Sequence, residues 1–319
     1  MPLDFSLAII AFGAVIIFGL ARLRTRRIER GNPPIGQILM HNGQKFHVYI
    51  RGQGPDLVII HGSSGNLNDF AITIIDELAK SFRVIAVDRP GLGYTDTLPD
   101  NKYTLIDQAK FIRDGLLQIG VTRPILLGHS MGGALALTWA TQQPDSVRAL
   151  VLLSAVTTPW PGHTRLTLIL HQIPIVRDIV ANIVAVLAND VAISKNIDAV
   201  FRPNPAPKNF RKNMGADLII RPKSAIANAR HRIKLVDQIK KMSNLYPTLK
   251  MPVHAISGDS DPVVPADLHI TAIKTAIPHV QIHMLQDTGH MPHHFHAPTI
   301  IKTVNQAHQD AMIMEKAEQ

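Results

Sequence analysis

The feature that most constrains this chain is the run Gly128-His129-Ser130-Met131-Gly132-Gly133, set directly behind the apolar residues Ile125-Leu126-Leu127. A buried strand that turns at once into a helix leaves no room for side chains two residues either side of the turn. Glycine is therefore required at 128 and 132. Ser130 at the apex is lifted clear of the backbone, and the unpaired N–H groups at the start of the following helix point at the space before it. A serine hydroxyl is a weak nucleophile at its free pKa and needs exposure and a neighbouring base. The turn thus specifies a strand–helix unit and makes Ser130 a candidate nucleophile.

The rest of the chain repeats that unit. Short β-branched runs at 48–50, 57–60, 83–87, 124–127, 147–153, 253–256 and 280–285 alternate with helical stretches at about 67–80, 104–119 and 132–141. Such alternation predicts βαβ units around a mainly parallel sheet. It breaks down between 157 and 245, where a long apolar helix around 166–187 precedes basic, helical pieces. This reads as a helical cap (157–245) inserted into a core formed by 31–156 and 246–319.

Three further elements sit at strand ends. His61-Gly62-Ser63-Ser64-Gly65 follows an apolar strand, and its glycine lets the backbone approach a ligand. The backbone N–H groups of Ser63 and Met131 are the expected oxyanion donors. In Gly258-Asp259-Ser260-Asp261-Pro262-Val263-Val264-Pro265 a carboxylate can orient a histidine, with Asp261 favoured and Asp259 the competitor that can instead bind turn N–H groups. In Asp287-Thr288-Gly289-His290-Met291-Pro292 the histidine is the expected base. The order Ser130, Asp261, His290, each at the carboxyl end of a strand, places all three on the edge where open α/β sheets bind ligands. His293, His294 and His296 lack an accompanying zinc motif or a set of carboxylates, so they read as solvated loop residues and no metal is expected.

Residues 5–21 carry no charge, and Arg22, Arg24, Arg26, Arg27 and Arg30 come directly after them. About 17 residues is the short end of a bilayer span, and the arginine cluster places the remainder of the chain on the cytoplasmic side. The expectation is one N-terminal membrane anchor with its basic flank (1–30), then a linker at Gly31, Asn32, Pro33, Pro34 and Gly36. The chain has no cysteine, which excludes disulfides, thiolate metal sites and cysteine nucleophiles. The net charge of +9 is regional: residues 160–245 hold fourteen Lys/Arg against five Asp/Glu, an excess equal to that of the whole chain. No nucleic-acid recognition module accompanies these charges, so a solvated cap surface or an anionic membrane accounts for them.

From about 36 to 306 the sequence resembles the α/β-hydrolase superfamily. The matching stretches are HGSSG at 61–65, DRPGLGYTD at 88–96, GHSMGG at 128–133, GDSDPVVP at 258–265 and TGHMPHH at 288–294. Within it, the chain is similar to the cap-bearing esterases, lipases, haloperoxidase-like perhydrolases and carbon–carbon hydrolases. The resemblance implies an eight-stranded, mostly parallel sheet with helices on both faces, a helical cap between the sixth and seventh strands, and no cofactor. It puts Ser130, Asp261 and His290 on the triad positions, and Ser63 and Met131 on the oxyanion positions. Serine at 130 disfavours the epoxide hydrolases and dehalogenases of this fold, which use aspartate. Ser154 leaves the alternative acid position unfilled. The expected substrate is a carboxylic ester, small or lipid, presented at the membrane. Carbon–carbon cleavage, acyl transfer and a non-catalytic receptor are the rival readings. The oligomeric state is not specified.

Overall fold

The computed structural model describes residues 3–160, 173–233 and 235–317, with side chains from residue 11 onward. Eight strands run β1 (Gln37–His41), β2 (Gln44–Arg51), β3 (Asp56–Ile60), β4 (Arg83–Val87), β5 (Ile125–His129), β6 (Ala149–Leu153), β7 (Val253–Gly258) and β8 (Gln281–Leu285). They form one sheet in the order β1-β2-β4-β3-β5-β6-β7-β8. The first two pairings, β1–β2 and β2–β4, are antiparallel, and every other pairing is parallel.

Alternation along the central strands sorts side chains to two faces. Val58 and Ile60 of β3 join a core with helices α4 (Leu105–Leu117) and α5 (Met131–Gln142), through residues such as Ile112 and Leu135. Leu57 and Ile59 face the other way, towards α2 (Asn68–Ala71), α3 (Ile75–Leu78) and the C-terminal α12 (Ala297–Ala317). The expected single helix at 67–80 is instead these two short pieces. Thr73 lies between them and donates its hydroxyl hydrogen back to the carbonyls of Asp69 and Phe70, at 3.0 and 3.2 Å. The first strand went unpredicted: it is an edge strand joined to β2 by Asn42-Gly43, both at positive φ (51° and 76°), the turn that a two-residue hairpin favours.

Between β6 and β7 the described residues are helical: α6 (Pro174–Leu187), α7 (Asp190–Phe201), α8 (Phe210–Met214), α9 (Pro222–Ile233) and α10 (Leu235–Ser243). The helix α11 (Ala266–Ala276) follows β7. The expected apolar helix at 166–187 is described only from Pro174; its earlier part, with Leu166, Leu168, Ile169 and Leu170, lies outside the described residues. Its small residues Ala181 and Ala185 are buried, while Ile175 and Leu187 are 75% and 70% exposed. This helix therefore buries its small residues and leaves several large apolar ones in solvent.

The N-terminal helix α1 (Leu3–Gly31) ends where the Gly31–Pro34 linker begins. Among the described residues no helix is long and apolar enough to cross a membrane. The expected span at 5–21 starts in residues whose side chains lie outside the described set, so the structure lends the spanning anchor no support. The basic flank is also not merely a solvated tail. Ala21 and Ile28 are buried. Arg24 donates to the carbonyls of Ala185, Val186 and Ala188 at the end of α6, where a cation meets the negative end of the helix dipole. Glu29 pairs with the buried Arg221 of the cap at 2.8 Å.

Close backbone approach positions the serine. A Cβ on Gly132 would lie 2.1 Å from the Ile60 carbonyl oxygen, and one on Gly128 would lie 2.4 Å from that of Gly132. Gly132→Ala is expected to cost about 3 kcal/mol or more in unfolding free energy, measured by urea denaturation, because neither clashing group is a movable side chain.

Candidate active site

Ser130 sits between β5 and α5 at φ 53° and ψ −120°, a backbone conformation that side chains other than glycine rarely adopt. The turn is stitched to the next strand: Ser130 N–H donates to the Leu153 carbonyl at 2.9 Å, and the Ser130 carbonyl accepts from Val156 N–H at 3.2 Å. These bonds hold the strained residue in place.

His290 and Asp261 are brought together by the loops after β8 and β7. His290 Nδ1 lies 2.8 Å from Asp261 Oδ2, and both side chains are buried. The other oxygen, Oδ1, accepts from the backbone N–H groups of Val263 and Val264 at 2.8 and 2.9 Å. A carboxylate held on both sides this way keeps the proton on His290 Nδ1 and leaves Nε2 as the basic nitrogen. Asp259 is exposed and accepts only from the Ser260 hydroxyl, so of the two aspartates Asp261 is the one beside the histidine. His129, adjacent to the serine, contacts the His290 carbonyl through Nε2 at 2.8 Å, tying the serine turn to the histidine loop.

The loop after β3 closes the site. A Cβ on Gly62 would lie 3.1 Å from that of Ser130, so glycine lets this loop lie against the serine. Ser63 and Met131 are neighbours, with the Ser63 hydroxyl donating to Met131 Sδ at 3.2 Å. Among the described residues no acceptor takes up the backbone N–H of either. His61 braces the loop from behind. Its Nε2 accepts from Arg89 N–H at 3.0 Å, so the ring proton is on Nδ1, which donates to the Gly62 carbonyl at 2.8 Å. Burial, together with the Arg89 charge, outweighs nearby Asp88 and pushes the His61 pKa down to about 4, which keeps the ring neutral.

Residues 55–297 match the family model for the alpha/beta hydrolase fold. The chain belongs to the α/β-hydrolase family. It is 29% identical over 276 residues to an uncharacterized protein of Mycobacterium tuberculosis, covering 82% of this chain and 77% of that one. It is 27% identical to a 2-hydroxymuconate semialdehyde hydrolase of Pseudomonas putida over 283 residues, 86% of this chain and 94% of that one. In fold it is similar to a bacterial membrane phospholipase A described as a virulence factor (TM-score 0.68, 21% identity, 97% of this chain and 98% of that one). The eight-stranded, mostly parallel sheet is the one that the sequence resemblance implies for this family.

Several residues of the hydrolase site were not singled out by the sequence. The cap reaches the oxyanion loop through Asn228 of α9, whose Oδ1 accepts from Ser64 N–H at 2.9 Å and whose Nδ2 donates to the Ser64 hydroxyl at 3.1 Å. Asp88 accepts from Leu67 N–H and Tyr94 N–H and contacts the His47 ring at 2.6 Å, pinning the loops after β3 and β4. The signal for Asp88 lay in the 88–96 motif; for Asn228 there was none.

His293 and His294 overturn their reading as solvated residues. Both are largely buried, with Nε2 atoms 3.1 and 2.8 Å from the two oxygens of Asp69. Phe70 stacks on His293, and Phe201 and Phe210 pack edge-on against His294. Burial would raise the Asp69 pKa, but the two imidazoles beside it hold its carboxyl well below the usual range. The donor atoms of Asp69, His293 and His294 lie within 4.8 Å of one another, the one set among the described residues with the spacing of metal ligands. His294 Nε2 is hydrogen-bonded to the carboxylate, whereas both ring nitrogens of His293 are without a hydrogen-bond partner among the described residues. His296 meets the Thr288 hydroxyl at 2.8 Å.

Two buried histidines set a pH dependence of stability. Like His61, His269 has its pKa pushed down to about 4, by burial first, with His290 adding and Asp261 opposing. An unfolded histidine titrates near 6.5, so between about pH 6.5 and 4 the unfolded chain binds more protons than the folded one. Stability is then fully present above about 6.5 and lost as pH falls towards 4. The urea midpoint is expected to drop across that window, and His269→Gln to flatten the slope by up to about one proton.

Proposed function

We propose that the chain is a serine hydrolase that cleaves carboxylic esters through an acyl-enzyme on Ser130. The observation that carries the reading is the buried His290–Asp261 pair, 2.8 Å apart, whose loop is tied through His129 to the strained turn that carries Ser130. His290 takes the Ser130 proton as the oxygen attacks the ester carbonyl, then gives it to the departing alkoxide. Water, activated by the same histidine, releases the acid. Ser63 and Met131 N–H groups stabilise the tetrahedral oxyanion, and Asp261 holds the base in the right tautomer. None of these steps calls on a cofactor.

A lipophilic ester presented at a membrane is the proposed substrate class. Its support is the large apolar side chains left in solvent on α1 and α6: Phe12 is 68% exposed, Val15 69%, Ile175 75% and Leu187 70%. Exposed apolar groups in this number mark an interaction surface. A cytoplasmic catalytic domain is part of the proposal, and the arginines in the second half of α1 are its support. The name of the phospholipase A with the same fold agrees with a lipid ester. Carbon–carbon cleavage is the second reading, favoured by the 27% identity to the Pseudomonas putida hydrolase. A dienoate ring-cleavage product separates the two, since an esterase leaves its chromophore unchanged.

The first test is labelling with a fluorophosphonate probe. Wild type is expected to label and Ser130→Ala to remain unlabelled with an unchanged circular dichroism spectrum; a folded wild type that fails to label sinks the reading. Asp261→Asn is expected to lower kcat by about 10³- to 10⁴-fold by favouring the wrong imidazole tautomer. Asp259→Asn is expected to stay within about twofold of wild type, and the reverse ranking would reassign the acid.

A further inference from the structure

We infer that Arg89 is a positioning residue for oxyanion stabilisation: its buried guanidinium, with His61, fixes and polarises the Gly62–Ser63 peptide that carries one of the two oxyanion donors. The inference rests on the serine-hydrolase reading and adds a part to its machinery.

Arg89 is completely buried. Its Nη1 donates to the Gly62 carbonyl at 3.2 Å, and Nη2 reaches Gln108 Oε1 at 3.0 Å, Met131 Sδ at 3.0 Å and His231 Nδ1 at 3.2 Å. Among the described residues Nε has no partner, and no carboxylate is among these groups. The adjacent Asp88 spends its oxygens on Leu67 N–H, Tyr94 N–H and His47. An arginine taken out of water without a counter-charge is costly. Burial pushes its pKa down to about 9, which still leaves it cationic at neutral pH.

The placement of that charge points to a use. A trans peptide is planar, so the N–H of Ser63 is directed opposite to the carbonyl of Gly62. That carbonyl accepts from Arg89 Nη1 and from His61 Nδ1 (2.8 Å), both behind the loop. Holding the carbonyl inward aims the N–H outward on the serine side. Withdrawing electron density through the carbonyl makes the N–H a stronger donor, because hydrogen bonds in a chain polarise one another. The cation also bears on the second donor residue, since Nη2 and the Ser63 hydroxyl both meet Met131 Sδ. His231, from α9, places the same cation in contact with the cap. Stabilisation of this kind acts only as negative charge develops in front of Ser130, so it belongs to the transition state and not to substrate binding.

The test compares wild type with Arg89→Lys and Arg89→Met in the full chain. Two inhibitors are used: a trifluoromethyl ketone, which adds to the serine and generates an oxyanion, and the matched alcohol, which binds without one. Arg89→Met is expected to lower kcat on a p-nitrophenyl ester by ~100-fold with KM within about threefold. It is expected to weaken the ketone by ~100-fold and the alcohol by less than about threefold, with Arg89→Lys intermediate because it keeps the charge and loses the fork. Equal losses on both inhibitors, or wild-type kcat in folded Arg89→Met, overturn the role. If Arg89→Met does not fold, Gln108→Leu keeps the guanidinium and removes one of its acceptors. It is expected to lose about fivefold on the ketone alone, and a loss shared by the alcohol overturns the role equally. A wild type that forms no ketone adduct sinks the serine-hydrolase reading and this inference with it. A wild type that forms the adduct while the variants show no selective loss sinks only the role of Arg89.

Discussion

Everything in the site depends on how closely three stretches of backbone approach one another. Gly132, at the start of α5, lies under the Ile60 carbonyl at the end of β3, and Gly128 lies against Gly132. That contact packs the helix onto the sheet with no side chain between. Because His61 and Gly62 follow Ile60 directly, it also brings the loop after β3 against Ser130. Helix packing and site assembly are thus one contact, and the positive φ of Ser130 is the local strain that accompanies it.

The same edge of the sheet concentrates buried polar groups. Asp69, Asp88, Arg89, His61, His129, His290 and His293 are all nearly inaccessible, and all lie at the carboxyl ends of strands, in the loops that follow or in the short helices after them. Each needs a partner, because an unpaired polar group in a dry interior costs several kcal/mol. The loops meet much of that need among themselves: Asp88 with backbone N–H groups and His47, Asp69 with His294, Asp261 with His290 and two N–H groups. Among the described residues His129 Nδ1 and both ring nitrogens of His293 have no hydrogen-bond partner, and Arg89 is a cation whose partners are neutral.

What the sequence made legible is what local pattern encodes. The central strands are continuous apolar runs, buried on both faces, and the motifs at 61–65, 128–133, 258–265 and 288–294 each sit beside such a run. The edge strand β1 carries exposed Ile38 and Met40 and gives no such run, although Asn42-Gly43 was its readable turn signal. His293 and His294 were misread because what buries them, Asp69 together with Phe201 and Phe210 of the cap, is distant in the chain. Hydropathy reports α1 as a membrane segment and says nothing of Arg24 reaching the end of α6 or of Glu29 meeting Arg221. Side-chain chemistry within a few residues is readable, and pairing across the fold is not.

These pairings join the cap to the chemistry. Asn228 holds Ser64 and the Asn66 side chain donates to the Met214 carbonyl at 3.0 Å, so the loop after β3 is fastened to the cap at two points, and His231 meets Arg89 on the loop after β4. The cap is itself fastened to α1 through Arg24 and Glu29. A cavity of about 170 Å³ lies between the loop at 90–103 and helices α6 and α9. His231 is among its lining residues and Ser130 is not. A displacement of α9 that widened this space would pull on Ser64 and Arg89 before it reached the serine. The shape of this cavity and the placement of the loop beside Ser130 are therefore not independent in this fold, because α9 lines the first and carries bonds that hold the second.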